Sequence, residues 1–140
     1  MPFEFIEDIA IADVAFRAWG ASAEEVFTSA AAATLRVMVQ DLGSIARRQE
    51  RPLELVNSCL DLLLFDFLQE LIYYKDAEGL LLLPEELRLQ EGYCLRAHLW
   101  GERLDPSRHE LLVDVKAVTL HLFSLVGDSE GWKAQVVLDI

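Results

Sequence analysis

Residues 3–20 have the sequence FEFIEDIAIADVAFRAWG, which predicts one long opening β-strand with a carboxylate, Asp13, in the middle of an apolar run. Asp is uncommon in strands, and a buried carboxylate must be paired, hydrogen-bonded or bound to a metal. Side chains alternate along a strand, so Asp13 is expected to lie among core residues. Its predicted neighbours on that face are Ile9, Ile11, Ala15 and Arg17.

The length of 140 residues fits a single domain that spans residues 1–140 around one hydrophobic core. The hydrophobic share of 53% is compatible with a further buried surface, so a homo-oligomer is a reasonable hypothesis. The longest apolar runs are too short to cross a membrane, and acidic residues replace the basic start of a signal peptide. We therefore expect a cytoplasmic protein without membrane contact.

The formal net charge is −12, from 24 acidic and 12 basic residues. A field of this sign repels phosphate, which argues against strong direct binding to nucleic acid and favours a basic protein partner or a cation. Cys59 and Cys94 match no zinc or redox spacing, and two reduced, buried thiols are the expected state.

Two helices are predicted. The Ser22–Glu25 spacing is that of a capping box, which starts a helix that should end at Gly43 and Ser44. A second helix should run to about Tyr74, with Gly79 just beyond its end. Its potential capping residues are Asn57, Ser58 and Asp61.

The remaining segments predict strands. Residues 53–56 follow Pro52, which indicates an edge strand. Beyond residue 80 the apolar period changes to two, and turn signals separate four further strands. The expected class is α+β, with two helices packed on one or two mostly antiparallel sheets. The four strands are residues 80–83, 93–100, 111–123 and 132–140.

Three arginines precede the predicted edge strand and form the one basic cluster of the sequence: Arg47, Arg48 and Arg51. A solvated edge is the favoured interpretation, because charged side chains commonly protect exposed strand edges. Contact with an acidic or RNA-bearing partner is the alternative.

Asp139 is the second carboxylate of interest, because the main-chain carboxylate of Ile140 follows it at once. If the last strand neighbours the opening strand, Asp13, Asp139 and Ile140 can converge on one cation. Hard oxygen ligands of this kind suit Ca²⁺, Mg²⁺ or Mn²⁺ better than zinc. From spacing alone, the favoured interpretation is that Asp139 is simply a solvated terminal residue.

No common catalytic signature occurs in the chain: GxGxxG, GxxxxGK[ST], HExxH and GxSxG are all missing. The three histidines are too scattered to suggest a catalytic triad, and a structural role is the simpler interpretation for each. They are His98, His109 and His121.

The sequence resembles the archease family along its whole length. The similarity is carried by the opening segment ADVAFRAWG of residues 12–20, the segment VKAVTLH of residues 115–121 and the ending VLDI of residues 137–140. Gly101-Glu102 and His109 also fall where that family has similar residues. The resemblance implies a cytoplasmic, non-enzymatic accessory protein of the RNA ligase that joins tRNA halves, promoting its guanylylation and turnover. A chaperone-like modulator of a tRNA methyltransferase is the alternative that the family suggests.

The resemblance also implies a divalent metal, Ca²⁺ first and Mg²⁺ or Mn²⁺ next, bound by Asp13, Asp139 and Ile140. Lys116 and His121 are candidates for the functional rim, and both can serve one site only if a β-bulge separates them. The sequence lacks the His-Thr pair that often precedes Ala-Asp-Val in the family. Two other hypotheses are a small metal-dependent enzyme, with Lys116 or His121 as acid or base, and an oligomeric scaffold.

Overall fold

The computed structural model describes residues 2–6 and 13–140, and it consists of two helices and seven strands. Ile9 and Ile11, which were expected to share a face with Asp13, lie outside the described residues. A short 3-10 helix, Leu42–Ser44, follows the first α-helix. The strands are β1 Phe3–Ile6, β2 Asp13–Gly20, β3 Gln49–Val56, β4 Leu80–Gln90, β5 Cys94–Arg103, β6 Ala117–Asp128 and β7 Gly131–Asp139, and the helices are α1 Ala23–Met38 and α2 Leu60–Glu78.

The strands form two antiparallel sheets, so the predicted α+β class with two helices is confirmed. One sheet has the order β1-β2-β7-β6, and the other has the order β3-β5-β4. Both edge strands of the smaller sheet contain a proline, Pro52 in β3 and Pro84 in β4. Proline is tolerated there because an outward-facing edge position needs no N–H for the ladder.

The prediction of one continuous opening strand is wrong. Phe3 pairs with Ala18 and Ile6 pairs with Ala15, so β1 and β2 are antiparallel partners and form two separate strands. Asp13 is consequently the first residue of β2 and is half-buried, whereas the sequence pattern placed it mid-strand among core residues. The strand that carries Asp13 is the direct neighbour of the last strand, β7.

The start of α1 follows its capping box. The Glu25 N–H donates to Ser22 Oγ at 3.2 Å, and the Glu25 carboxylate accepts from the Ala21 N–H at 2.7 Å. The helix ends at Met38, five residues before the predicted glycine stop. The cause is that Val39 already adopts an extended backbone and forms a bridge with Leu111.

The α2 helix runs four residues beyond its predicted end, and Gly79 terminates it as the sequence predicts. Its start also differs from the prediction. Gly79 adopts the left-handed conformation with φ 66°, and its N–H closes the helix on the carbonyls of Tyr74 and Lys75. Cys59 is the N-cap residue and supplies no side-chain cap. Asn57 Oδ1 instead accepts from the Cys59 N–H at 3.0 Å.

The core lies between the two sheets, where α1 is largely buried and α2 contributes one face while the other stays exposed. α1 packs on β2 and β4, and α2 packs on β4 and β6, so each helix contacts both sheets. The alanines at positions 30–33 of α1 are all buried, which lets this helix approach its neighbours closely. Phe27 and Phe67 stack at 6.0 Å between ring centroids and join the two helices.

The predicted strand over residues 111–123 begins later, at Ala117. The preceding segment pairs elsewhere, because the Leu112 N–H donates to the Met38 carbonyl at 2.8 Å and the Val113 N–H donates to the Val37 carbonyl at 3.5 Å. Residues 112 and 113 thus hydrogen-bond to the end of α1 and not to β7, so β6 begins only after them.

The cysteine prediction also changes, whereas the expectation about membrane-spanning segments does not. Both cysteines are free thiols, but Cys59 is exposed and Cys94 is only half-buried, so neither is a buried core residue. Neither helix of the described segments combines the length and apolarity that a bilayer crossing requires.

Candidate metal centre

The two predicted carboxylates meet across neighbouring strands. Asp13, at the start of β2, is the register partner of Asp139, at the end of β7. Residues directly opposite in an antiparallel pair project to the same face, with Cβ atoms roughly 5 Å apart. Both residues are half-buried, and the next pair on this face, Ala15 and Val137, is fully buried. The half-buried carboxylates therefore lie beside one buried apolar pair at the end of the β2–β7 ladder.

β6 flanks Asp139 on its other side. Ala117 pairs with Asp139 in register, and the Lys116 N–H donates to the Asp139 carbonyl at 2.8 Å. The main chain of Asp139 is thereby anchored between two strands, and Ile140 follows directly at the same end of the sheet.

The charge at this end of the sheet fits a cation. Like charges that lie directly opposite each other across strands destabilise a sheet. In the described residues no basic side chain forms an ion pair with Asp13 or Asp139. Residues 2–6 and 13–140 also hold no group of three or more His, Cys, Asp or Glu side chains that could hold a metal. A cation here would consequently need main-chain oxygens, those of Ile140 being nearest in sequence, and water besides the two carboxylates.

The other two predicted residues lie close to this end of β6 in sequence. Lys116 immediately precedes the strand, and its side chain is exposed. The register of β6 against β7 shifts between Thr119 and Ser124, and His121 is exposed within this bulge. The bulge is the condition under which Lys116 and His121 can face one site. In the described structure neither side chain hydrogen-bonds to the Asp13–Asp139 pair.

A buried cation near this region was not predicted. Lys75 is 6% exposed in its side chain, and its Nζ donates to Asp114 Oδ1 at 2.6 Å and to the Val115 carbonyl at 2.7 Å. Burial lowers the pKa of Lys75, but hydrogen bonds to Asp114 and Asp76 outweigh it and leave that pKa above its usual value. The signal was present in the sequence, because Lys75 continues the apolar stripe of Leu68 and Leu71 at helical spacing.

A second buried network surrounds Glu102. Its Oε2 accepts from the Ala46 N–H at 2.7 Å and from His109 Nε2 at 3.0 Å. His109 Nδ1 accepts from the Asp105 N–H at 2.9 Å, so Nε2 carries the proton. The Ala46 N–H, with His109 and Arg108, lowers the pKa of Glu102 to about 2 against the opposing effect of burial. His109 is thus a structural histidine, as expected, whereas His98 and His121 are exposed.

A family model and individual relatives point to the same protein family. The model of the Archease protein family (MTH1598/TM1083) matches residues 3–140. The chain is 37% identical to protein archease of Pyrococcus abyssi in an alignment of 133 positions that covers 92% of this chain and 93% of that protein. It is also 37% identical to protein archease of Methanosarcina mazei in an alignment of 142 positions that covers 99% of this chain and 95% of that protein.

Two solved structures share the fold. The solution structure of Methanobacterium thermoautotrophicum protein 1598 superposes with a TM-score of 0.82 at 33% identity, covering 99% of this chain and 98% of that one. The crystal structure of an archease and possible chaperone from Thermotoga maritima gives a TM-score of 0.66 at 24% identity, covering 92% and 91%. At that lower identity the likeness concerns the fold alone.

Proposed function

The chain belongs to the archease family, and on that premise we propose that it is a cytoplasmic, non-catalytic accessory protein of the RNA ligase in tRNA splicing. In this proposal the protein promotes guanylylation of the ligase and its multiple turnover. The observation that carries the proposal is the opposition of Asp13 and Asp139 at one end of the larger sheet.

We propose that Asp13, Asp139 and Ile140 hold one divalent cation at this end, with Ca²⁺ as the first candidate and Mg²⁺ or Mn²⁺ as alternatives. Two carboxylates and main-chain oxygens form a hard ligand set, which favours these ions. When bound, the cation would supply the positive charge that the opposed carboxylates lack. The residues of the chain anchor the strand ends: Lys116 holds the Asp139 carbonyl through its N–H.

The charge of the chain supports a protein partner. A molecule with a formal net charge of −12 is attracted to a basic surface, and such association is fast and sensitive to salt. We place the docking contact at the metal end of the sheet, where the exposed side chains of Lys116 and His121 form the rim. The ligase would offer the basic surface.

A ligation assay tests this function. Purified ligase is given RNA halves in excess, with or without the protein, and both guanylylated ligase and the number of turnovers are measured. We expect the natural protein to raise both quantities and the Asp13→Asn variant to raise neither. The matched control is Asp128→Asn, because Asp128 is an exposed carboxylate of the same sheet whose oxygen accepts only from the nearby Glu130 N–H.

Two outcomes would overturn the proposal. Full stimulation of the ligase by the Asp13→Asn variant would show that the Asp13–Asp139 pair is not needed for this function. Turnover of nucleotide and RNA by the chain alone, without ligase, would instead favour the metal-dependent enzyme.

One observation favours a second candidate, the chaperone-like modulator of a tRNA methyltransferase. The bulged strand β6 exposes three large apolar side chains: Leu120 at 61%, Leu122 at 50% and Val126 at 60%. Exposed apolar surface on one strand is a feature of protein-binding sites. This candidate predicts that the chain suppresses light scattering by a heated methyltransferase and that Leu120→Ser weakens the effect. Unchanged scattering would contradict it.

A further inference from the structure

A second polar site lies at the far end of β5, formed by the groove between the segment before β3 and the turn after β5. The groove encloses about 460 Å³. Three arginines from three different segments line it, although the chain as a whole is strongly acidic: Arg48, Arg103 and Arg108.

Two of these arginines are held in place by one buried carboxylate. Glu102 Oε1 accepts from Arg108 and lies 3.3 Å from Arg48 Nε, while the Glu102 side chain is only 5% exposed. Arg108 also donates to the Ser44 carbonyl at 3.4 Å. The outer nitrogens of Arg48 have no partner among the described residues, so its guanidinium is anchored at one edge and open at the other. Because this anchoring already restricts the Arg48 side chain, less conformational entropy is lost when a ligand binds.

The local charge of the groove is positive. The three arginines contribute three positive charges, whereas Glu102 and Asp105 contribute two negative ones. Asp105 Oδ1 is already occupied by the Ser107 N–H at 2.9 Å and the Ser107 hydroxyl at 2.7 Å. In the described structure no carboxylate forms an ion pair with Arg103.

The arginines on either side of Arg48 behave differently. Arg47 forms an ion pair with Glu85, and Arg51 pairs with Glu78 at 3.0 Å. The basic cluster of the sequence is therefore divided by the fold. Two members pair with carboxylates outside the groove, whereas Arg48 pairs with the buried Glu102 and lines the groove.

We propose that this groove binds the terminal phosphate of a phosphate monoester. Guanidinium groups match the oxygens of phosphate in pairs, and three of them around one groove suit a compact dianion. The acidic remainder of the surface opposes an extended polyanion, whereas charges farther than about 8 Å are largely screened from a small ligand at physiological salt. The site is independent of the Asp13–Asp139 pair and of the proposed ligase function.

An NMR titration of the full ¹⁵N-labelled chain tests the proposal. Sodium phosphate is added at constant ionic strength, and the shifts of the Ala46 amide and the arginine Nε–H groups are followed. We expect saturable shifts confined to the groove, and about tenfold weaker binding in Arg103→Ala and Arg48→Ala. Neither variant removes the Arg108–Glu102 bond, so the fold is retained. The matched control is Arg96→Ala, an exposed arginine of the same strand that pairs with Glu54.

Two further arms identify the source of the phosphate. Adenosine monophosphate represents a free nucleotide, and a short RNA with a 5′-phosphate is compared with the same RNA ending in a 5′-hydroxyl. Preference for the phosphorylated RNA assigns the groove to an RNA end, and preference for the mononucleotide assigns it to a free nucleotide. Shifts that rise linearly without saturation mean an adventitious ion only. That result, or equal binding by the Arg103→Ala and Arg96→Ala variants, would overturn the proposal.

Discussion

Asp13 and Asp139 lie directly opposite each other on the antiparallel strands β2 and β7. They come from the two ends of the described core domain, and the pairing of β2 with β7 brings them together. In the described structure no basic side chain compensates their charge. This relationship leads to a prediction about stability that differs in sign with and without a divalent ion.

In the presence of a chelator, Asp13→Asn should stabilise the protein by up to about 1 kcal/mol, because it removes a like-charge pair across the strands. With Ca²⁺ at a hundred times its dissociation constant, the natural protein should gain about 2.7 kcal/mol and the variant should gain none. Urea unfolding with EDTA and with CaCl₂ measures both values. Asp128→Asn should respond to Ca²⁺ as the natural protein does. An Asp13→Asn variant that is less stable than the natural protein in EDTA would contradict the prediction.

Glu102 should make stability depend on pH in the acid range. Its pKa is about 2 in the folded protein against 4.5 for the ordinary group, so the unfolded chain takes up the proton first. The stabilisation is complete above about pH 4.5 and is lost as pH falls toward 2. Glu102→Gln should therefore lower the free energy of unfolding by about 3 kcal/mol at pH 7, because it leaves Arg108 without its buried carboxylate. The loss should be much smaller near pH 2.5, where the natural carboxylate has already lost most of its stabilising effect.

Unfolding by urea at several pH values tests the Glu102 prediction. Glu54→Gln is the control, since Glu54 also pairs with an arginine but is exposed at 56%. A Glu102→Gln penalty that stays constant from pH 7 to pH 2.5 would show that the lowered pKa does not contribute to stability.

Lys75→Met should destabilise the protein by about 1–3 kcal/mol, because it leaves the buried Val115 carbonyl without a donor. The exposed lysine Lys133, replaced by methionine in the same way, serves as control. Thermal unfolding followed by circular dichroism measures the difference. Equal midpoints for the two variants would mean that the buried lysine contributes no net stability.

Gly101→Ala should be among the most damaging small substitutions. A Cβ at this position would lie 1.7 Å from the Leu81 carbonyl oxygen, which belongs to the neighbouring strand and cannot move alone. We expect a loss of more than about 3 kcal/mol or insoluble protein. Gly43→Ala is the comparison, because its Cβ would meet only the Asp41 side chain at 3.1 Å. A stable Gly101→Ala protein would contradict the strand packing described here.

Local signals in the sequence predict part of this fold well. The capping box of Ser22 and Glu25, the left-handed Gly79 and the edge position of the strand at Pro52 each depend on chemistry within a few residues. That strand begins at Gln49, however, and so contains Pro52 instead of following it. The adjacency of the Asp13 strand and the last strand was a conditional expectation, and it holds because β2 and β7 pair along their whole length.

Features that depend on distant partners were beyond local patterns. The sequence predicts one strand where β1 and β2 are two paired strands, because the alternation of side chains continues through both of them. The late start of β6 depends on hydrogen bonds to the end of α1, more than seventy residues away in sequence. The burial of Lys75 and Glu102 likewise depends on partners from other elements, namely Asp114, Val115 and Ala46.

The measurement that tests the central claim most directly is calorimetric titration of Ca²⁺ into the metal-free chain, repeated with Asp13→Asn and Asp139→Asn. The claim is that these two carboxylates hold one divalent cation at the joined ends of β2 and β7. We predict one saturable site per chain in the natural protein and in the Asp128→Asn control, and its loss in both pair variants. Binding of equal stoichiometry and affinity in all four proteins would contradict the claim.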